Sequence, residues 1–208
     1  MDNFPKKIAV FPLSGVIFFP ETNLPLNIFE SRYLKMVNDT LKNNKYLGMI
    51  QSKNVNGELY NVGCLGKIDE HNRTEDGRIL INLKGINRFE IDKEIKNEEP
   101  YREFNVKYDL FKNDMNEKNF NVANEKLTEL INNSKIFFKK NGILINWAEL
   151  SKLSPQKQIY NLAMISPISV EEKQKLIEIV KLDNVANILN EITKFNFYEN
   201  SEQKKILQ

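Results

Sequence analysis

The chain has 208 residues, 41% of them hydrophobic, which supports a packed core and argues against disorder. Thirty basic and 28 acidic residues leave a formal charge of +2, so no electrostatic footprint for nucleic acid is present. The single cysteine excludes an intramolecular disulfide and fits a reducing cytosol, and no apolar stretch reaches the ~20 residues a membrane-spanning helix needs.

The N-terminus is short and polar, and prolines interrupt the apolar run after it, so it does not read as a signal peptide. A cytoplasmic protein is the expectation. Lys7 to Leu13 is apolar on both faces and predicts a buried strand. Phe11 to Tyr33 holds Pro12, Pro20 and Pro25, which bar a long helix. Its many apolar residues predict extended chain with tight corners, and Tyr33, Leu34, Met36, Val37 and Leu41 then recur at helical spacing. Tyr46 to Gln51 predicts a strand. Asn56-Gly57 predicts a tight turn, and Leu59 to Ile68 a strand bent at Gly63 and Gly66. Asp69 to Asp76 reads as a polar corner. Arg78 to Leu83 alternates, with Ile79, Ile81 and Leu83 on one side and Arg78 and Asn82 on the other. Gly85 reads as a break before Ile86 to Ile91, and Tyr101 to Phe111 as the last strand. Short strands spaced by turn signals argue for an antiparallel sheet closed or nearly closed into a barrel, with one helix inserted.

After a polar linker at Lys112 to Lys118 the period changes to helical. A helix of several turns is predicted from Phe120, burying Leu127, Leu130, Ile131, Phe137 and Phe138 and ending at Asn141-Gly142. Trp147 follows it as a packing anchor. Ser154-Pro155 predicts the capped start of a second helix. Ser169 to Glu172 is a capping box for a third, burying Leu176, Ile177 and Val180. Asn184 to Phe195 gives a fourth, and Asn200 to Gln208 a frayed end. The chain therefore divides into a β-rich part, residues 1–113, and a helical part, residues 114–208.

The opening stretch resembles the N-terminal domain of Lon proteases, which also occurs as a stand-alone bacterial protein. The resemblance rests on Phe11-Pro12-Leu13, Gly15-Val16, Phe19-Pro20, Leu24-Pro25-Leu26, Ile28-Phe29-Glu30 and Arg32-Tyr33. It continues in Gly48-Met49-Ile50, Gly63-Cys64-Leu65-Gly66, Asp76-Gly77-Arg78 with Gly85 and Arg88-Phe89, and Pro100-Tyr101. In the helical part Asn161 to Met164 and Glu172 to Gln174 with Leu176 are similar to the family's pattern. Ser31 and Ile168 depart from it. The resemblance implies an α+β fold: a PUA-like antiparallel β-barrel with one inserted helix, then a C-terminal helical bundle. It also implies a non-catalytic module that binds substrate proteins. The ATPase and protease domains of Lon would lie beyond this chain, and no cofactor or metal is implied.

Four groups of residues are candidates for chemistry or binding. Gly63 to Lys67 superficially resembles a phosphate loop but lacks the spacing and the Ser or Thr after lysine. Cys64 and His71, the sole cysteine and histidine, form a nucleophile–base pair only if the fold brings them together. Glu30 and Arg32 read as structural charges at the start of the first helix. Phe18, Phe19 and Pro20, with Leu26 and Phe29, are the candidate surface for extended apolar peptide, with at least one of the two aromatics expected in the core. Unfolded or misfolded polypeptide and a Lon-type protease are the expected partners, with the chain a monomer or weak homo-oligomer. Nucleic acid and membrane are not expected. The rival functions are an RNA-binding PUA-like protein and a Cys64/His71 hydrolase.

Overall fold

The computed structural model describes residues 4–54, 56–114 and 122–206, with side chains through residue 195. The chain forms two compact units, Met1–Met115 and Asn116–Gln208.

The first unit holds β1 (Lys7–Leu13), β2 (Asn23–Ile28), α1 (Ser31–Lys42), β3 (Tyr46–Ser52), β4 (Leu59–Arg73), β5 (Ile79–Ile95) and β6 (Arg102–Lys107), then a 3-10 turn at Asp109–Phe111. The sheet order is β2-β5-β4-β3-β1-β6, and β6 also pairs with the far end of β5. Following the pairings from β5 through β4, β3, β1 and β6 thus returns to β5. The sheet is mixed, which corrects the antiparallel expectation: β1 pairs with β3 in parallel, Val10 opposite Gly48. The physical reason is the connection. A parallel pair needs a crossover, and α1 lies within the segment joining β1 to β3. On α1, Tyr33, Met36, Val37 and Thr40 are buried at i, i+3, i+4 and i+7, so one stripe faces inward.

The inner cluster is Ile8, Val10, Ile50, Leu65, Phe89, Phe104 and Val106. Gly85 does not interrupt β5. The strand runs through it, with a register shift against β4 between Leu65 and Gly66, and Gly66 stands opposite Gly85, so the two glycines leave a slot in the ladder. A Cβ on Gly85 would lie 1.9 Å from the carbonyl oxygen of Phe19, and one on Gly66 would lie 2.8 Å from the Phe18 ring. The slot therefore holds the Phe18–Thr22 loop. Glu21 donates its N–H to the Gly85 carbonyl at 3.0 Å, Gly85 donates to the Thr22 carbonyl at 2.9 Å, and the buried Thr22 hydroxyl donates to the Phe19 carbonyl at 2.6 Å. Asp69 to Arg73, expected as a corner, extends β4, since Glu70 to Arg73 pair with Asn82 to Ile79. The last expected strand stops at Lys107, and Leu110 is exposed on the 3-10 turn.

Arg88 is fully buried and forks onto Asp114, Nε to Oδ2 at 2.9 Å and Nη2 to Oδ1 at 2.7 Å, while its backbone N–H also donates to Oδ2 at 3.0 Å. Its guanidinium lies 4.3 Å from the centre of the Phe111 ring. Removing one member of such a pair strands a buried charge, at a cost of ~3–5 kcal/mol.

The second unit holds α2 (Asn124–Lys140), α3 (Trp147–Ser151), α4 (Pro155–Ile165), α5 (Val170–Glu178) and α6 (Leu182–Ile206). The α4 and α5 starts follow their caps: the Ser154 side chain accepts from the Lys157 N–H, and the Ser169/Glu172 capping box is complete. Val180, expected to be buried, is exposed, because α5 ends at Glu178 and Ile179 turns extended. Lys126 with Asp183 and Asn133 with Asn190 tie α2 to α6 at the same sequence offset of 57, so the two helices run in the same direction. Trp147 lies on a short helix that the pattern did not predict, its ring edge against Phe138. The backbone of α6 stays helical to Ile206, where fraying was expected. Residues 115–118 of the predicted linker, Phe120 and residues 207–208 lie outside the described residues.

Candidate functional site

The sequence points to one apolar surface, and the fold divides its members. Phe18 and Phe19 are fully buried and Pro20 is buried with them, so these three are removed from the candidate surface. The slot at Gly66 and Gly85 is the reason. Burying each phenylalanine stabilises the fold by ~1.5–3 kcal/mol relative to leaving it exposed. Leu26 is half-buried on β2, and Phe29, the residue after β2, is 66% exposed.

What surrounds Phe29 is a sheet edge. Among the described pairings β2 bonds to β5 alone, so its other side is open. Leu24, Leu26 and Ile28 turn inward, while Asn23, Pro25 and Asn27 are exposed, the period of two expected of a strand. Leu80 of β5 stands opposite Asn27 and is exposed as well. Directly opposed residues share a face, so Pro25, Asn27 and Leu80 line the outer side of the sheet, with Phe29 at its end. Leu80 was not picked from sequence, yet its place on the side of Arg78 and Asn82 was written in the alternation. Pro25 has no N–H to offer, which blunts an otherwise open edge.

The charges nearby are already engaged. Arg32 pairs with Glu30 at 2.9 Å, and Arg78 with Asp76 at 2.7 Å. Arg78 and the Thr74 hydroxyl hold the Asp76 carboxyl down at about 2. A cleft of about 420 Å³ elsewhere in the unit is lined by Val10, Pro12, Arg32, Tyr33, Tyr101 and Arg102. The Tyr33 ring sits edge-on to Phe11 at 4.3 Å with the Arg32 guanidinium 4.4 Å from its centre. Burial pushes the Tyr33 hydroxyl up. Arg102 forks onto Glu94 at 2.6 and 2.7 Å and donates to the Gly57 carbonyl. Tyr101 donates to Asp39 at 2.9 Å, and Lys35 also binds that carboxylate. These cations are spoken for by carboxylates of the same chain, so the cleft does not present a bare phosphate-binding face.

The hydrolase pair is contradicted. Cys64 is fully buried, its thiol 3.5 Å from the Leu65 carbonyl, and burial pushes the thiol well above its ordinary value. Asp114 pushes the same way and Arg88 opposes it. A nucleophilic cysteine needs the reverse. His71 is exposed seven residues further along the same strand, roughly 20 Å away at strand rise. Gly63 to Lys67 is continuous strand, not a phosphate loop. Among the described residues, no group of three or more His, Cys, Asp or Glu side chains could hold a metal ion.

A mixed sheet with one crossover helix and an open β2 edge, followed by helices, has counterparts among known proteins. Residues 7–194 match the family model for the ATP-dependent protease La (LON) substrate-binding domain. The chain belongs to the Lon substrate-binding domain family. Relatives include the Lon protease of Flavobacterium johnsoniae, 24% identical over an alignment of 188 positions that covers 86% of this chain and 22% of that one. The Lon protease of Malacoplasma penetrans is 26% identical over an alignment of 189 positions that covers 83% of this chain and 23% of that one. The chain thus spans under a quarter of the length of these two Lon relatives. The Lon N-terminal domain protein of Xanthomonas campestris superposes with a TM-score of 0.66 at 17% identity, covering 88% of this chain and 96% of that one. The N-terminal domain of the Mycobacterium avium complex Lon protease gives 0.65 at 13%, covering 91% and 98%. These two structures share the fold, and the α+β class of this Lon-type domain follows from them.

Proposed function

We propose that this Lon-type domain is a non-catalytic, cytoplasmic module that binds unfolded or misfolded polypeptide, its ring of strand pairings acting as a PUA-like barrel that a helical bundle follows in the chain. The observation that carries the reading is the open edge of β2 flanked by exposed Phe29, Pro25 and Leu80. An extended chain adds main-chain hydrogen bonds along such an edge and sets alternate apolar side chains on the flanking patch. Because Pro25 withholds one donor, the added strand is held loosely, which suits a site that takes many sequences. A Lon-type protease is the partner that would act on what is captured. The family's description as substrate-binding, the exposed Phe29 and the deeply buried thiol support this reading.

The test is binding of a labelled, intrinsically unfolded casein to the chain and to Phe29→Ser/Leu80→Ser. Both side chains are exposed, so the variant should fold normally and bind about ten-fold more weakly. Undiminished binding by a folded variant would remove this face from the function.

A further inference from the structure

The connection after α2 projects an apolar tip. Gly142 takes φ +70 and turns the chain, with its N–H on the Lys139 carbonyl and the Ile143 N–H on the Phe138 carbonyl. Leu144, two residues on, is 98% exposed. Ile143, Ile145 and Trp147 are half-buried around it, and Trp147 is anchored edge-on to Phe138 with ring centres 6.2 Å apart. Ile136 on α2 is 50% exposed.

The chain around the tip is rich in lysine. Ser134, Phe137 and Phe138 take the inner side of the last turns of α2, leaving Lys135, Lys139 and Lys140 exposed. The Lys135 ammonium lies 5.8 Å from the centre of the Trp147 ring. Residues 130–158 contain five lysines and one acid, Glu149, which pairs with Lys152 at 2.6 Å. A protein partner would need a socket shaped for a protruding leucine and a negative rim around it. A bilayer boundary supplies both without shape: fluid acyl chain below and acidic headgroups beside it.

We propose that this tip docks on an anionic lipid surface. Leu144 and the flanking isoleucines enter the boundary between headgroups and acyl chains, Trp147 sits at that boundary, and the lysines lay their stems along apolar surface while the ammonium groups reach lipid phosphates. The contact is peripheral, since no helix among the described residues is long and apolar enough to cross a membrane. It shares no residue with the Phe29 and Leu80 patch, so either site can fail alone.

Trp147 is the only tryptophan in the chain, so its emission reports on this tip. The full chain is mixed with phosphatidylcholine vesicles, with and without phosphatidylglycerol, and sedimented. The expected result is co-sedimentation and a blue shift with the anionic vesicles, both weakened by salt. Leu144→Ser should bind about ten-fold more weakly. Lys139→Ala should lose roughly five-fold. No shift with phosphatidylglycerol vesicles, or binding that Leu144→Ser leaves unchanged, overturns the proposal. Self-association of the parent chain without vesicle binding, abolished by Leu144→Ser, overturns it too and gives the tip to a second copy of the chain.

Discussion

Two loops in this protein have nearly the same apolar make-up and opposite fates. The Phe18–Thr22 loop lies sealed in the first unit, while the 141–147 connection shows Leu144 almost wholly to solvent. Neither fate follows from the loop itself. The first loop is held because two glycines on facing strands leave room for it and three hydrogen bonds tie it down. The second turns on a glycine that only ends a helix, and Phe138 covers the base of the connection but not its tip. Apolar content decides that a segment seeks cover, and distant residues decide whether cover exists.

The contrast can be broken most forcefully at Phe19. Phe19→Ala should destabilise the first unit by about 4 kcal/mol, read as a lower urea midpoint. A shift near zero would mean that the loop is not packed as described. Gly85→Ala comes next, at about 3 kcal/mol, because its new methyl meets backbone rather than a movable side chain. Retained stability there would show that the slot yields. Leu144→Ser, the matching change on the other loop, should move the midpoint by under ~0.5 kcal/mol, and a large loss would place Leu144 in a core. The smallest effect belongs to the polar hairpin corner at Asp76. Its folded carboxyl is depressed to about 2 from an ordinary 3.8, so whatever stability it adds is complete above about pH 4 and is lost as pH falls through about 2. A carboxyl titration followed by NMR checks it, and an ordinary midpoint for Asp76 would remove the Arg78 and Thr74 contacts.

The same division governs what could be read from the sequence. The bounds of β1, the Ser154 cap with Pro155 and the Ser169 capping box were legible, since each rests on residues within one or two turns. That one of Phe18 and Phe19 enters the core was legible, but the burial of both was not, because it depends on Gly66 and Gly85, far along the chain. Gly85 itself looked like a break, since a glycine that opens a slot and one that ends a strand are the same letter. The parallel pairing of β1 with β3 was hidden for a related reason: alternation sets which face a residue takes, not the direction of the neighbouring strand. Of the candidate surface, Phe29 was legible as an apolar residue at the close of a proline-bearing strand, and Leu80 could have been found by alternation alone.

The Arg88–Asp114 fork bears on how this molecule can be divided. By composition the natural place to cut is after Asn113, inside the polar linker. A fragment ending there would keep the guanidinium sealed inside its sheet and discard the carboxylate that neutralises it. Any N-terminal half meant to stand as a well-formed body has to carry at least one residue more.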